Sequence, residues 1–401
     1  MNKLAPVLSG LNHGYDWNNY TPMGSSVDQA LTPTTIHDLG GAPDLSSPTM
    51  SALFEPDTLG FGASGIASAV TPAQDFASHF SNESNTLFLA ANAAAAASLG
   101  NAGSQSQGRG SGGTHPPSYT SGTPGAFQII VKFDASVAKA PSGFVTDIEH
   151  VADFLTSYFS NPTTIKIDVG FGEIDGSKLS SGDLGESEAN YVTVPGFTAS
   201  AQYSALVNAY KTHDAGISLP TTDPVPGDQQ WWVTTAEAKA LGLSGPSSKI
   251  DGWAGFSSAP YAYDPAHVGP NQYDFVGTAL HEFTEVMGRV TLNGAIYSGY
   301  PLPEYTPLDL FHFSGPGAHV FSGTTPGYFS INNGRTDLKN FSTDPNTDFS
   351  DWQPSGRSDA FDASGGQGSA SPFSHADYLA LEAVGWKGTG FPGTGYTAHR
   401  G

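Results

Sequence analysis

A tract made almost entirely of Gly, Ser, Gln, Thr and Pro, residues 101–125, limits what this chain can fold into. Such a composition cannot bury enough apolar area to offset its ordering entropy, so it reads as a flexible linker. It divides the chain into an N-terminal arm with its linker (1–122), a stretch able to build a core (123–387) and a short tail (388–401). Within the arm, the first sixty or so residues show no sustained apolar period. Residues 72–99 have helical character, with an alanine run at 93–97 and Gly100 as a stop. The arm reads either as a disordered or loosely docked segment or as a propeptide or export segment.

Charge narrows the function classes. Fifteen Lys and Arg stand against 37 acidic residues, a formal charge of −22. A chain this acidic is repelled by nucleic acid and anionic membranes and attracts cations. There is no cysteine, which excludes disulfides, thiolate metal sites and a cysteine nucleophile. No apolar run approaches the roughly 20 residues of a membrane span, so no membrane insertion is expected. The opening residues lack an apolar stretch of signal-peptide length, so export by the general secretory route is not expected from them.

Order is expected from Phe127. Phe127, Ile129, Val131 and Phe133 alternate as in a strand. A helical pattern over 142–160 follows, with Ile148, Val151, Leu155 and Tyr158 on one side and Asn161-Pro162 as its end. Ile165, Ile167, Val169 and Phe171 alternate again, which makes a βαβ-like unit. Residues 175–185 read as a polar loop, 201–210 and 235–241 as short helices, and 251–257 as a glycine-bearing strand.

Residues 271–289 are the most informative. Asp274 is placed to cap a helix and Gly288 to stop it. At 100° per residue, Val276, Ala279, Leu280, Phe283, Val286 and Met287 share one face, while His281, Glu282, Glu285 and Arg289 share the other. His281-Glu282-x-x-Glu285 is one residue away from H-E-x-x-H, the zinc motif whose i and i+4 side chains reach one metal while the Glu at i+1 acts as base. Carboxylate oxygen is itself a zinc ligand, and a second anionic ligand tilts preference toward harder metals. The competing reading is an ordinary ion-paired face, because Glu285 and Arg289 are also i and i+4.

The strings around this helix carry a resemblance. Ala279-Leu-His-Glu-Phe-Thr-Glu-Val-Met-Gly-Arg289 resembles the active helix, H-E-x-[ST]-E-V-M-G-R, of an uncharacterised family of exported bacterial zincin-like metalloproteases. Ile167-Asp-Val-Gly-Phe-Gly-Glu173, Leu184-Gly-Glu-Ser187, Tyr305-Thr-Pro-Leu-Asp-Leu-Phe311 and the stretch from Pro372 to Trp386 are similar to it as well, in the same order. The resemblance spans roughly residues 125–387. It implies an α+β, zincin-like fold, with a twisted mixed sheet, an active-site helix and an irregular C-terminal subdomain. It also implies a secreted zinc-dependent endopeptidase acting on peptide or protein substrates, with Glu282 as general base and His281 and Glu285 on Zn²⁺. Alternatives are a non-catalytic scaffold of this type that binds protein or glycan, and a structural acidic exported protein.

Departures from better-known zincins leave the third ligand open. The third-histidine position of metzincins is Leu292, and no methionine follows Met287. Asp309 is the first choice, since a carboxylate among apolar residues is costly unless paired or coordinated; a helix cap or a partner for Arg289 is its structural alternative. Glu304 and His312 follow. Asp344-x-Asn346-x-Asp348-x-x-Asp351 spaces oxygen ligands as a Ca²⁺ loop does, but it lacks the glycine and closing Glu of an EF-hand, and a plain acidic surface loop is the competing reading. Trp231-Trp232 reads as a ligand-contacting pair or as half core and half surface. Ser374-x-x-Asp377 reads as a capping box.

Overall fold

The computed structural model describes residues 115–180, 182–213, 217–296 and 301–391. The arm with its helical segment at 72–99, most of the linker and most of the tail lie outside the described residues. The chain is α+β. Its largest sheet has five strands, β1 (Ser118–Gly122), β2 (Gln128–Phe133), β3 (Thr164–Phe171), β4 (Gly185–Ala189) and β5 (Gly252–Phe256), in the spatial order β1-β2-β3-β5-β4. The three central strands β2, β3 and β5 run parallel, and both edge strands run antiparallel to their neighbours. The helices are α1 (Phe144–Tyr158), α2 (Ala199–Thr212), α3 (Thr235–Ala240), α4 (Phe275–Val286) and α5 (His375–Ala383).

The alternating strands and the 142–160 helix are where periodicity placed them. α1 is the crossover that lets β2 and β3 run parallel. The sheet nevertheless starts inside the tract that reads as linker, because β1 (S-Y-T-S-G) pairs with β2 from Ser118–Lys132 to Gly122–Gln128. Its side chains are satisfied by polarity instead of apolar burial: Tyr119 Oη and Ser121 Oγ both donate to Asp153 on α1, at 2.8 and 2.6 Å. A composition scan is blind to that kind of strand. The edge strand β4 (G-E-S-E-A), which follows the polar 175–185 stretch, escapes for the same reason.

α4 packs its apolar face on β4 and β5 beside α1. Phe144, Phe256 and Phe275 meet there with ring centroids 5.0–5.8 Å apart. All three are fully buried, each stabilising the fold by about 1.5–3 kcal/mol. Gly252 allows the approach, since a Cβ there would lie 2.7 Å from Val286 Cγ1. Trp231 and Trp232, in the strand Gln230–Thr234, are both buried, so neither is a surface contact.

The C-terminal region contains a small four-stranded sheet around His312–Gly315 and a second aromatic cluster in which Trp352 packs on Phe329 and Phe341. α5 opens on the Ser374/Asp377 capping box, and the buried Trp386 beyond it donates to Met287 O at 2.7 Å. Among the described residues no helix is long and apolar enough to cross a membrane.

Candidate metal centre

α4 starts where Asp274 accepts Val276 N at 3.1 Å and Ser371 N at 2.9 Å, which ties the helix start to the C-terminal region. It ends at Gly288, whose φ of +111° no other residue adopts cheaply, with Arg289 N donating back to Thr284 O at 3.0 Å. The polar face is not solvated as a surface helix would be. Residues 341–363 cross over it, and Glu282, Glu285 and Arg289 are all buried.

Three side chains converge on this covered face. His281 Nε2 lies 3.4 Å from Glu285 Oε1 and 3.3 Å from Asp351 Oδ1. The other ring nitrogen, Nδ1, is 2.9 Å from Ala360 O. A carbonyl can only accept, so that contact puts a proton on Nδ1 and leaves the Nε2 lone pair facing the two carboxylates when the ring is neutral. Metal-ligating histidines are oriented in this way. Ser187 Oγ on β4 donates to Glu285 Oε2 at 2.8 Å and so fixes the second oxygen of that carboxylate. Asp351 is held by its neighbour Trp352, which is fully buried and donates from Nε1 to Asp377 Oδ1 on α5 at 2.7 Å.

Arg289 closes the back of the group. It is fully buried, stacks 4.1 Å over the Phe361 ring, and donates to Glu285 Oε1 at 3.0 Å and Asp351 Oδ1 at 2.8 Å. The same two oxygens therefore face His281 on one side and a guanidinium on the other. Burial lowers the His281 pKa, but Asp351 and Glu285 outweigh it and hold the ring protonated well above its ordinary range. Burial likewise pushes up the Glu282 carboxyl, with Glu285 and Asp351 adding to the rise and His281 opposing it. Glu282 sits over Gly185 of β4, where a Cβ would come 2.8 Å from Glu282 Cδ.

His281, Glu285 and Asp351 can hold a metal ion: one ligand atom from each lies within 4.8 Å of the others, and among the described residues no other such trio forms. The spacing suits a small ion. Tetrahedral ligands at about 2.05 Å from an ion stand about 3.35 Å from one another, against 3.3 and 3.4 Å for the two pairs that include His281 Nε2.

The sequence candidates divide around this group. His281 and Glu285 are in it and Glu282 adjoins it, but Asp309 is not. Its carboxylate takes the capping role, accepting Thr306 N at 2.7 Å, Leu292 N at 3.1 Å and Asn293 N at 2.9 Å. Glu304 is buried in a short strand paired with Gln230, where burial pushes its carboxyl up to about 7. His312 is buried against Phe341, which pushes its pKa down to about 4. The three carboxylates of the loop spaced like a Ca²⁺ site do not converge on one point. Asp344 caps Asn346 N, while Asp351 turns inward to become the third member of the group. Sequence reasoning had Asp351 in view but in the wrong role. The usable signal was the adjacent Trp352, a large apolar side chain that argues against a fully solvated loop.

The group floors a cleft of about 620 Å³ bordered by β4, α4 and residues 345–365. A side chamber of about 240 Å³ shares Ser187, Glu285 and Phe349 with it and is walled by Ala189, Tyr191 and Leu292. Against known proteins the chain gives no match: no family model, no curated protein and no solved structure corresponds to it.

Proposed function

We propose that the protein is a zinc-dependent endopeptidase, with His281, Glu285 and Asp351 as the metal ligands and Glu282 as general base. The observation that carries this reading is the convergence of His281 Nε2, Glu285 Oε1 and Asp351 Oδ1 within 4.8 Å of one another at a cleft, with His281 Nε2 3.4 and 3.3 Å from the two oxygens. One nitrogen and two carboxylate oxygens make an accepted zinc donor set that leaves a fourth position for water or substrate. When bound, the ion supplies Lewis-acid polarisation of a carbonyl and makes water more acidic.

The remaining work falls to the chain. Glu282, next to His281 and buried against β4, takes a proton from the attacking water and passes it to the leaving amine. Burial raises its carboxyl well above the ordinary range, so it holds a proton more readily than an exposed glutamate does. β4 is the outermost strand of the sheet and borders the cleft, a position from which a strand can pair with an extended peptide. Covering of the group by residues 341–363 limits water around the reacting atoms.

The test is metal content and turnover in the parent and in Glu282→Gln, read with a quenched fluorescent peptide library. One metal per chain is expected in both, with turnover lower by about 10²–10⁴-fold in the variant. Equal cleavage by the two would remove Glu282 from the mechanism.

A second reading has its own observation. Arg289 already gives both carboxylates a buried cation, which suits a metal-free, ion-paired scaffold that binds without cutting. That reading requires a chain purified from zinc-replete medium to contain no metal.

A further inference from the structure

The cleft carries more negative charge than the metal group uses. Eight carboxylates line it, and no lysine or arginine does. Glu285 and Asp351 are answered by Arg289 and His281, and Asp359 is paired from behind by Lys339 Nζ at 2.9 Å. Asp362 is in a different position. It is only 8% exposed; its Oδ2 accepts Asp359 N at 3.0 Å, while its Oδ1 is buried on the cleft wall with no hydrogen-bond partner. A buried carboxylate oxygen left unmet is costly, and here burial together with Asp359 pushes the carboxyl up to about 7 against a smaller opposing pull from Lys339.

A cation from outside the fold would remove that cost. The chain itself has few to offer, with 15 Lys and Arg against 37 acidic residues. A second metal ion is not favoured, because among the described residues no other three ligand atoms converge. An ammonium or guanidinium on a flexible stem needs only one buried carboxylate at its tip and a negative approach along the wall, where Glu186 lies.

We infer that Asp362 anchors a subsite for a lysine or arginine side chain of the substrate, so that the peptides taken by this cleft are basic. The inference rests on the peptidase reading for the nature of the occupant and on the cleft wall for its charge.

Binding tests it without turnover. The probe is metal-loaded Glu282→Gln protein titrated with labelled Ala/Ser decapeptides carrying two Arg, two Gln or two Glu at matched positions, followed by fluorescence anisotropy. The Arg peptide is expected to bind at least tenfold more tightly than the Gln peptide, with the Glu peptide weakest. Adding Asp362→Asn should remove most of that preference while metal content stays the same. Equal binding of Arg and Gln peptides, or a full preference surviving Asp362→Asn, overturns the subsite. Should Asp362→Asn fold poorly, ionic strength decides: a preference that does not shrink between low and high salt overturns it too. Cleavage assays keep the two ideas apart. Hydrolysis without charge preference sinks the subsite alone, and an Asp362-dependent preference without any hydrolysis sinks the peptidase reading alone.

Discussion

Replacing Asp351 and Asp309, one at a time, by asparagine separates metal binding from stability. Asp351 Oδ1 is shared between His281 Nε2 at 3.3 Å and Arg289 Nη1 at 2.8 Å. An asparagine at 351 keeps an acceptor for Arg289 but loses the charge that makes it a strong ligand. Removing a residue that merely orients a ligand costs 10–100-fold in metal affinity, so removing a ligand should cost at least about 100-fold, or about 2.7 kcal/mol. In the metal-free protein the same change leaves the buried Arg289 and His281 charges one partner short, a cost of up to about 3–5 kcal/mol unless His281 gives up its proton.

Asp309 is the opposite case. It is 1% exposed; Oδ2 accepts Leu292 N, Thr306 N and Thr306 Oγ1, while Oδ1 accepts Asn293 N. An amide there must turn its NH₂ toward at least one backbone N–H, leaving that donor unmet at about 1–3 kcal/mol. Asp309→Asn is therefore expected to lower the melting temperature while keeping one metal per chain, whereas Asp351→Asn is expected to lose the metal. Elemental analysis, chelator competition and thermal melts with and without chelator read all of this. A metal-free Asp309→Asn beside a fully loaded Asp351→Asn would refute the assignment of the third ligand.

Two further outcomes follow from the geometry. Gly185→Ala should push Glu282 off its position, since the new Cβ would fall 2.8 Å from Glu282 Cδ; kcat should drop by about 10–100-fold with metal content unchanged, and a kcat within twofold of the parent would contradict it. Metal affinity should weaken as pH falls, because Asp351 and Glu285 hold the His281 proton above its ordinary range and the metal must displace it: about tenfold per pH unit below the raised pKa, and an affinity flat between pH 6 and 7 would contradict it. The same shift makes the metal-free fold gain stability that is fully present below about 6.5 and lost as pH rises through the raised value.

What the sequence made legible was local. α4 could be placed to within two residues because its cap, its stop and its 3.6-residue period all lie inside nineteen consecutive residues. The pairing of His281 with Glu285 follows from the same period. What stayed hidden was long-range. Arg289 reads as the far end of a surface ion pair, since an arginine is almost never fully buried without partners, and its second partner, Asp351, comes 62 residues later. Asp351 was masked by company: three other polar oxygen ligands at short spacing suggest a solvated loop, while the partners that meet that one carboxylate, His281 and Arg289, lie on a helix and its end far earlier in the chain. Asp309 misled for a related reason. Burial of a carboxylate announces that it has partners, but the sequence does not say whether they are a metal or backbone N–H groups.

The guanidinium behind the site, which at first argues against a metal, gives the charges a definite logic. Without metal, two carboxylates face Arg289 and a protonated His281, and the buried group is neutral with Glu282 uncharged, in line with the upward shift of its pKa. A divalent ion replacing the His281 proton adds one positive charge to that buried group. An uncompensated buried charge is expensive, and either of two buried carboxyls in the same network, Glu282 or Asp348, would restore neutrality by ionising. On the proposed function, metal binding would favour the ionised form of Glu282 through electrostatics. If Arg289 were absent, the bound ion would be balanced by its two carboxylates and Glu282 would have no reason to ionise. If the site works as proposed, the buried Arg289 would set the condition under which the neighbouring glutamate becomes a base.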